Sequence, residues 1–419
     1  MGKKKKISAI EVVKLKKCRV CNNRNLFTFL QLGPTPVPNG FLEFKQLNKA
    51  EKFYPLDLCV CIKCGMVQLA HVVDPIVMFR NYVYIPSTSE TMVKHFSGLA
   101  QDAAKNLKEH TEKLVIDIGS NDGTLLKAFQ QLGFRVLGVD PAKNLAKQAG
   151  KEGVETLSNL FTKLEAKRIV KNYGKASIIT GTNVVAHVHD LHDFMDGVRY
   201  LLEDDGVFIV EFPYLVDLLD KVEFDTVYQE HLSYFAVTPF LKLLKMHQLN
   251  IFDIERLSIH GGSIRIKIDK GERKVNKSVK ALIELEKRKE ISNIETYLKF
   301  RKRVDKIRHQ LVQLLWKLKL KNKRIIGYGA SAKGNIILNY CRIGPETLDY
   351  IVDSIVYKQG KYTPGMHIPI FPEEKLNQDM PDYTLLLAWN FADEIIKKQK
   401  NYRQRGGKFI LSVPEVRVI

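Results

Sequence analysis

Three groups of residues could do chemistry, and each implies a different kind. Cys18 with Cys21, and Cys61 with Cys64, form two Cys-x-x-Cys pairs that each set two thiolates on a tight turn. Two such knuckles supply the four-thiolate tetrahedron that structural zinc prefers, with no position open to a substrate. Cys59 shares one face of an extended segment with Cys61 and either could reach the metal; the spacing favours Cys61, so Cys59 is read as a buried thiol. The second group is the loop Asp117-Ile118-Gly119-Ser120-Asn121-Asp122-Gly123, with Asp140 closing the next expected strand. Its glycines permit a sharp turn and close approach of a ligand, its leading carboxylate suits a cationic or polyol-bearing ligand, and Asp140 stands where an acid binds the two ribose hydroxyls of an adenosine. The third group is Tyr228-Gln229-Glu230-His231, followed by Leu232-Ser233-Tyr234-Phe235. Here His231 offers a general base, Glu230 a group able to hold its charge, and Tyr228 a phenol hydrogen bond, although a structural histidine in an aromatic loop has the same pattern.

Positioning these groups requires alternating strands and helices. The pattern predicts strands at 114–118, 135–140, 176–180 and 206–212, separated by helices at 122–132, 142–150 and 191–202, as in a doubly wound parallel sheet. Residues 273–322 have few helix breakers and abundant Lys and Glu, and predict a long solvated connector helix. A second unit then begins: strand 324–327, the loop Gly327-Tyr328-Gly329-Ala330-Ser331-Ala332-Lys333-Gly334, helix 335–341, and strands 348–352, 383–388 and 408–411. Lys333 at that helix N-terminus suits anionic oxygens such as a sugar-nucleotide pyrophosphate. The turn His260-Gly261-Gly262-Ser263, with Arg265 beyond it, could line the same cleft, although a hairpin also explains its glycines. The expected division is a zinc module (1–75), a cofactor domain (76–272), the connector (273–322) and a C-terminal α/β domain (323–419).

Composition bounds the alternatives. With 419 residues, 45% hydrophobic and 27% charged, the chain has material for two or three globular domains. The net charge of +20 comes from lysines scattered along the chain rather than from a basic stripe interleaved with aromatics, which argues against nucleic acid as the partner. No stretch approaches the ~20 apolar residues of a membrane helix, and no apolar segment of signal length follows the opening lysines, so a cytosolic chain without a membrane partner is expected. Cysteines paired at metal spacing agree with that compartment.

The loop from Asp117 to Gly123 resembles motif I of class I methyltransferases; the NAD fingerprint would require Gly-x-Gly-x-x-Gly. Asn183 and His187, after the expected strand at 176–180, lie where that family closes over its cofactor. Taken in order, the cysteine module, this loop, Tyr228-x-Glu230-His231-x-x-Tyr234-Phe235, the His260–Arg265 turn, the Lys333 loop and Lys358-Gln359-Gly360-Lys361-Tyr362-Thr363-Pro364-Gly365 resemble the nucleotide-sugar C-methyltransferases of deoxysugar biosynthesis over nearly the whole chain. The resemblance implies an α/β fold with a class I, Rossmann-like methyltransferase core between a small zinc module and a second Rossmann-like domain. It implies S-adenosylmethionine and structural zinc as cofactors and a nucleotide-linked 4-keto-sugar as partner. Asp117, Gly119, Asn121, Gly123, Asp140, Asn183 and His187 would hold the cofactor. His231 would be the base, with Glu230 and Tyr228 near the sugar. Arg265, Lys333, Lys358 and one of Tyr82 or Tyr84 would bind substrate. The family commonly carries His where Gln229 stands here, a departure that bears on the acceptor. An O- or N-methyltransferase, an NAD-dependent oxidoreductase and a zinc-containing RNA-binding protein are the rival readings.

Overall fold

The computed structural model describes residues 12–74, 78, 86–105, 113–271 and 273–419. Tyr82 and Tyr84 lie outside them. The middle of the chain forms a seven-stranded sheet in the order Asn250–Leu257, Ser263–Asp269, Leu202–Pro213, Ala176–Thr182, Leu114–Ile118, Arg135–Val139, Thr156–Leu157. Leu114–Ile118 is buried throughout, as its unbroken apolar run and central place require. Helices Glu90–Ala104 and Thr124–Gln131 pack on one face through Phe96, Leu99, Leu125 and Phe129. Phe194 and Val198 of helix Leu191–Leu201 and Ile169 of helix Lys163–Tyr173 belong to the larger core on the other. The Rossmann-like core is therefore present, with one departure from a purely parallel sheet. Ser263–Asp269 runs antiparallel between Leu202–Pro213 and Asn250–Leu257, because the Gly261-Gly262 turn returns the chain directly alongside its predecessor.

The turn explains its own glycines. Gly261 and Gly262 have φ of +99° and +142°, and a Cβ on either would fall 2.4 Å from the Glu223 carboxylate or 2.6 Å from that of Asp217. Two buried acids are thus packed directly against backbone, where no other residue fits.

The second sheet has the order Ile370–Phe371, Ile351–Val352, Ile325–Tyr328, Tyr383–Leu386, Lys408–Leu411, Arg417–Val418, parallel except for the last strand. The expected single connector is two helices, Lys277–Arg288 and Ile294–Leu320, the second capped by Asn293, whose side chain accepts from the Glu295 amide. Nor is it merely solvated. Tyr297, Phe300, Val304, Ile307, Leu311 and Leu315 are buried, and Tyr297 packs on Phe29 with ring centroids 4.7 Å apart. Glu286, buried inside a Lys-rich stretch, accepts hydrogen bonds from the Val237 and Thr238 amides and the Tyr214 hydroxyl, so it caps helix Val237–Met246 from outside.

The N-terminal region forms a four-stranded sheet, and one strand comes from far along the chain. Its order is Ser233–Tyr234, Val67–Leu69, Tyr54–Cys61, Leu26–Thr35. The candidate catalytic segment therefore runs straight into the sheet that carries the cysteines.

Candidate active site

The metal group assembles from the two knuckles. Sulfur atoms of Cys18, Cys21, Cys61 and Cys64 all lie within 4.8 Å of one another. Cys18 and Cys64 are 3.6 Å apart and Cys21 and Cys61 3.5 Å, close to the ~3.8 Å edge of a tetrahedron built on ~2.3 Å zinc–sulfur bonds. The Cys64 thiol beside it draws Cys18 down toward the thiolate that a metal requires. Cys59 stands apart: its thiol donates to the Gln68 carbonyl at 3.4 Å, and burial pushes it up to about 12.

At the carboxyl ends of the central strands the glycine loop lies beside the carboxylates of Asp117 and Asp140. Gly119 and Gly123 have φ of +74° and +79°, and Asn121 has +52°. A Cβ on Gly119 would meet Val184 at 2.2 Å, so this glycine is fixed by packing as well as by conformation. Asp140 accepts from the Asn121 amide at 2.9 Å and the Ala142 amide at 2.8 Å. Two of its roughly four lone-pair sites are used, so it closes the loop and retains capacity for ribose hydroxyls. Asp117 is fully enclosed and accepts from Thr180 Oγ1 at 2.7 Å. Burial raises it to about 7, against the Thr180 hydrogen bond, with the charges of Asp140 and Glu211 adding to the rise. A cation brought against this group would relieve that cost, and S-adenosylmethionine carries two, its sulfonium and its ammonium. Asn183 turns at φ +58° and donates its amide to the Glu211 carbonyl at 2.7 Å.

His231 meets His187. Their rings stack with centroids 5.1 Å apart, and the Tyr228 ring lies 4.0 Å from that of His231. His187, expected to close over the cofactor, thus joins the end of a core strand to the candidate base. Burial lowers His187 to about 4, so it is neutral at physiological pH. His231 Nδ1 lies 2.8 Å from the Thr226 carbonyl oxygen, which can only accept. The proton therefore sits on Nδ1, and in the neutral ring Nε2 carries the lone pair. Glu230 and Gln229 are buried and held from the N-terminal region: Asn39 Nδ2 donates to Glu230 Oε1 at 2.9 Å, and Gln229 Nε2 donates to Thr35 Oγ1 at 2.8 Å.

The basic residues expected to bind substrate have acquired other partners. Arg265 is buried, its Nε 2.6 Å from Glu211 Oε1 and its Nη1 3.2 Å from Glu255. Glu211 also takes His95 Nε2 at 2.7 Å, which makes a buried Arg–Glu–His group beside the cofactor loop rather than a free guanidinium. Lys358 is pinned 3.1 Å from Asp353, a carboxylate that also accepts from the Ala330 amide of the second glycine loop. Lys333 stands over the Trp389 ring at 4.8 Å, within the field of Glu223 and Asp225. Trp389 Nε1 donates to Asp225, while burial lifts Glu223 to about 7, against the opposing charge of Lys333. Around this junction, Glu223 Oε1, Gln229 Oε1 and Asn335 Oδ1 are buried acceptors with no hydrogen-bond partner among the described residues.

His95, Glu211, Glu223, Asp225, Asn39, Thr35, Asn335 and Trp389 escaped the reading of the sequence. Only Glu223 and Asp225 carried a local signal, as two acids just ahead of the histidine segment; the others reach the site through pairings far apart in the chain.

Three family descriptions match consecutive parts of the chain: a zinc binding domain over residues 18–79, a methyltransferase domain over 93–253 and a C-methyltransferase C-terminal domain over 258–414. The C-methyltransferase NovU of Streptomyces niveus is 37% identical over 404 residues, 96% of each chain. A ubiquinone biosynthesis O-methyltransferase of Pelagibacter ubique is 25% identical over 131 residues, 31% of this chain and 52% of that one. Among solved structures, the magnesium protoporphyrin IX methyltransferase of Synechocystis PCC 6803 with bound SAM has TM-score 0.32 at 13% identity, covering 42% of this chain and 78% of that one. An S-adenosylmethionine-dependent methyltransferase of Clostridium acetobutylicum has TM-score 0.35 at 17% identity, covering 43% and 92%.

Proposed function

The chain belongs to the S-adenosylmethionine-dependent C-methyltransferases that carry an N-terminal zinc-binding domain, and from that premise we propose that its acceptor is a nucleotide-linked 4-keto-deoxysugar. The observation that carries this reading is the Thr226 carbonyl on His231 Nδ1, which leaves Nε2 as the basic nitrogen beside the end of the cofactor sheet.

Carbon becomes nucleophilic only after a proton is removed next to a carbonyl. His231 Nε2 takes that proton, and the positive charge then formed on the ring is shared through Nδ1–H with the Thr226 carbonyl. Neutral His187 supports the ring without adding charge repulsion. The cofactor supplies an electrophilic methyl group. Asp117, Asp140 and the loop between them would hold it, and the chain's own contribution to the rate would be chiefly the positioning of the two reactants. Glu223, Gln229 and Asn335 present acceptor oxygens at the junction of the three regions, complementary to the hydroxyl donors of a sugar. Lys333 and Trp389 at the same junction fit the nucleotide end, with part of the lysine charge already balanced by Glu223 and Asp225.

The test is incubation in deuterated water with a panel of nucleotide-linked 4-keto-6-deoxysugars, with and without S-adenosylmethionine. Deuterium is expected at the carbon beside the ketone without the cofactor, and a methyl gain with it. His231→Ala should lower both by about 10²–10⁴-fold. Methylation on oxygen, or no exchange across the panel, would overturn the reading.

A further inference from the structure

We propose that Arg19, inside the first cysteine knuckle, is a positioning residue that transmits the state of the zinc site to the His231 segment. Arg19 follows Cys18 directly and is buried. Its Nη1 donates to the Leu232 carbonyl at 3.1 Å and the Leu69 carbonyl at 3.2 Å, and its backbone amide donates to Gln68 Oε1 at 3.1 Å. Leu232 is the neighbour of His231. The same Leu232 carbonyl accepts the Leu69 amide at 3.0 Å, and Ser233 and Tyr234 pair with Gln68 and Val67. One guanidinium nitrogen therefore joins the knuckle, the strand leading from Cys61 and Cys64, and the chain immediately after the candidate base.

The link depends on metal through the backbone. Arg19 lies between Cys18 and Cys21, whose sulfur atoms sit with those of Cys61 and Cys64 within 4.8 Å of one another, so an ion that fixes these thiolates also fixes the turn from which the guanidinium reaches the Leu232 carbonyl. Loss of the metal frees that turn, and with it the hydrogen bonds to Leu69 and Leu232.

The experiment compares the full chain with Arg19→Met and Arg19→Lys by amide hydrogen exchange read by mass spectrometry, with zinc content measured on each sample. With zinc retained, peptides spanning 226–236 are expected to exchange about tenfold to a hundredfold faster in Arg19→Met, with Arg19→Lys between, while strand Leu114–Ile118 stays as protected as before. Should Arg19→Met fail to fold, the unmodified chain stripped with a chelator gives the second arm, and the same peptides should lose protection. Unchanged exchange over 226–236 in a zinc-replete Arg19→Met, or an equal rise everywhere, overturns the proposal. Neither arm uses an acceptor, so its failure is separate from that of the proposed sugar chemistry.

Discussion

The two glycine loops begin alike and end differently. Each follows a buried parallel strand, opens a helix and has an acid closing the neighbouring strand: Asp140 for the first, Asp353 for the second. At the first loop Asp117 is enclosed against Thr180, and burial, with the charges of Asp140 and Glu211 adding to it, raises it to about 7. Around the second the charges are already matched. Asp353 holds the Ala330 amide and Lys358, Ser331 caps its own helix by accepting the Gly334 amide, and Asn335 donates to the Pro38 carbonyl of the N-terminal region at 2.6 Å. The first loop thus keeps an enclosed carboxylate at the end of its strand, while the second spends its closing acid on its own backbone and lysine and its Asn335 on docking the N-terminal region.

Breaking the closing acids should separate the loops most sharply. Asp140→Asn is expected to weaken S-adenosylmethionine binding by about tenfold to a hundredfold in calorimetry, from the loss of charged hydrogen bonds. Asp353→Asn should leave that affinity unchanged while lowering the melting temperature, because the half-buried Lys358 is left without its counter-ion. Equal affinities in the two variants would erase the distinction.

Filling the glycines gives a smaller effect of the same kind. A Cβ on Gly334 would fall 2.6 Å from Leu387 Cβ, so Gly334→Ala should cost about 1–3 kcal/mol of stability and spare cofactor affinity. Gly119→Ala, at positive φ and against Val184, should reduce both stability and affinity.

The smallest predicted effect is a pH dependence confined to the first loop. Asp117 has a folded-state value raised above that of an unfolded carboxyl, so its contribution to stability is fully present at acid pH and is lost as pH rises through about 7. A bound cation restores it. The thermal shift produced by S-adenosylmethionine should therefore grow between pH 6 and pH 8, corresponding to up to about tenfold in affinity. A flat profile in the wild-type chain, or the same profile in Asp117→Asn, would remove Asp117 from that role.

Legibility followed the range of the interaction. The Cys18–Cys21 and Cys61–Cys64 turns, the Asp117–Gly123 loop and most core strands could be read because each is specified within a few consecutive residues. The burial of the connector is hidden in the sequence because its apolar positions are diluted by Lys and Glu, and the Phe29 surface opposite is what covers Tyr297 and Phe300. Arg265 and Lys358 were expected to face substrate because a basic residue near a glycine turn looks available, and nothing nearby in sequence announces Glu211 or Asp353 as partners.

By itself the sequence determined the thiolate set, the loop that turns at positive φ, the alternation of strands and helices, and the histidine beside a carboxylate. These depend on local backbone geometry and on periodicity, which neighbouring residues carry. The tertiary structure alone decided that Ser233–Tyr234 would complete the cysteine sheet, that His187 would stack on His231, and which basic groups would be neutralised. A buried charge takes whatever partner the closed chain brings within reach, and the sequence does not show that partner until the sheets have formed.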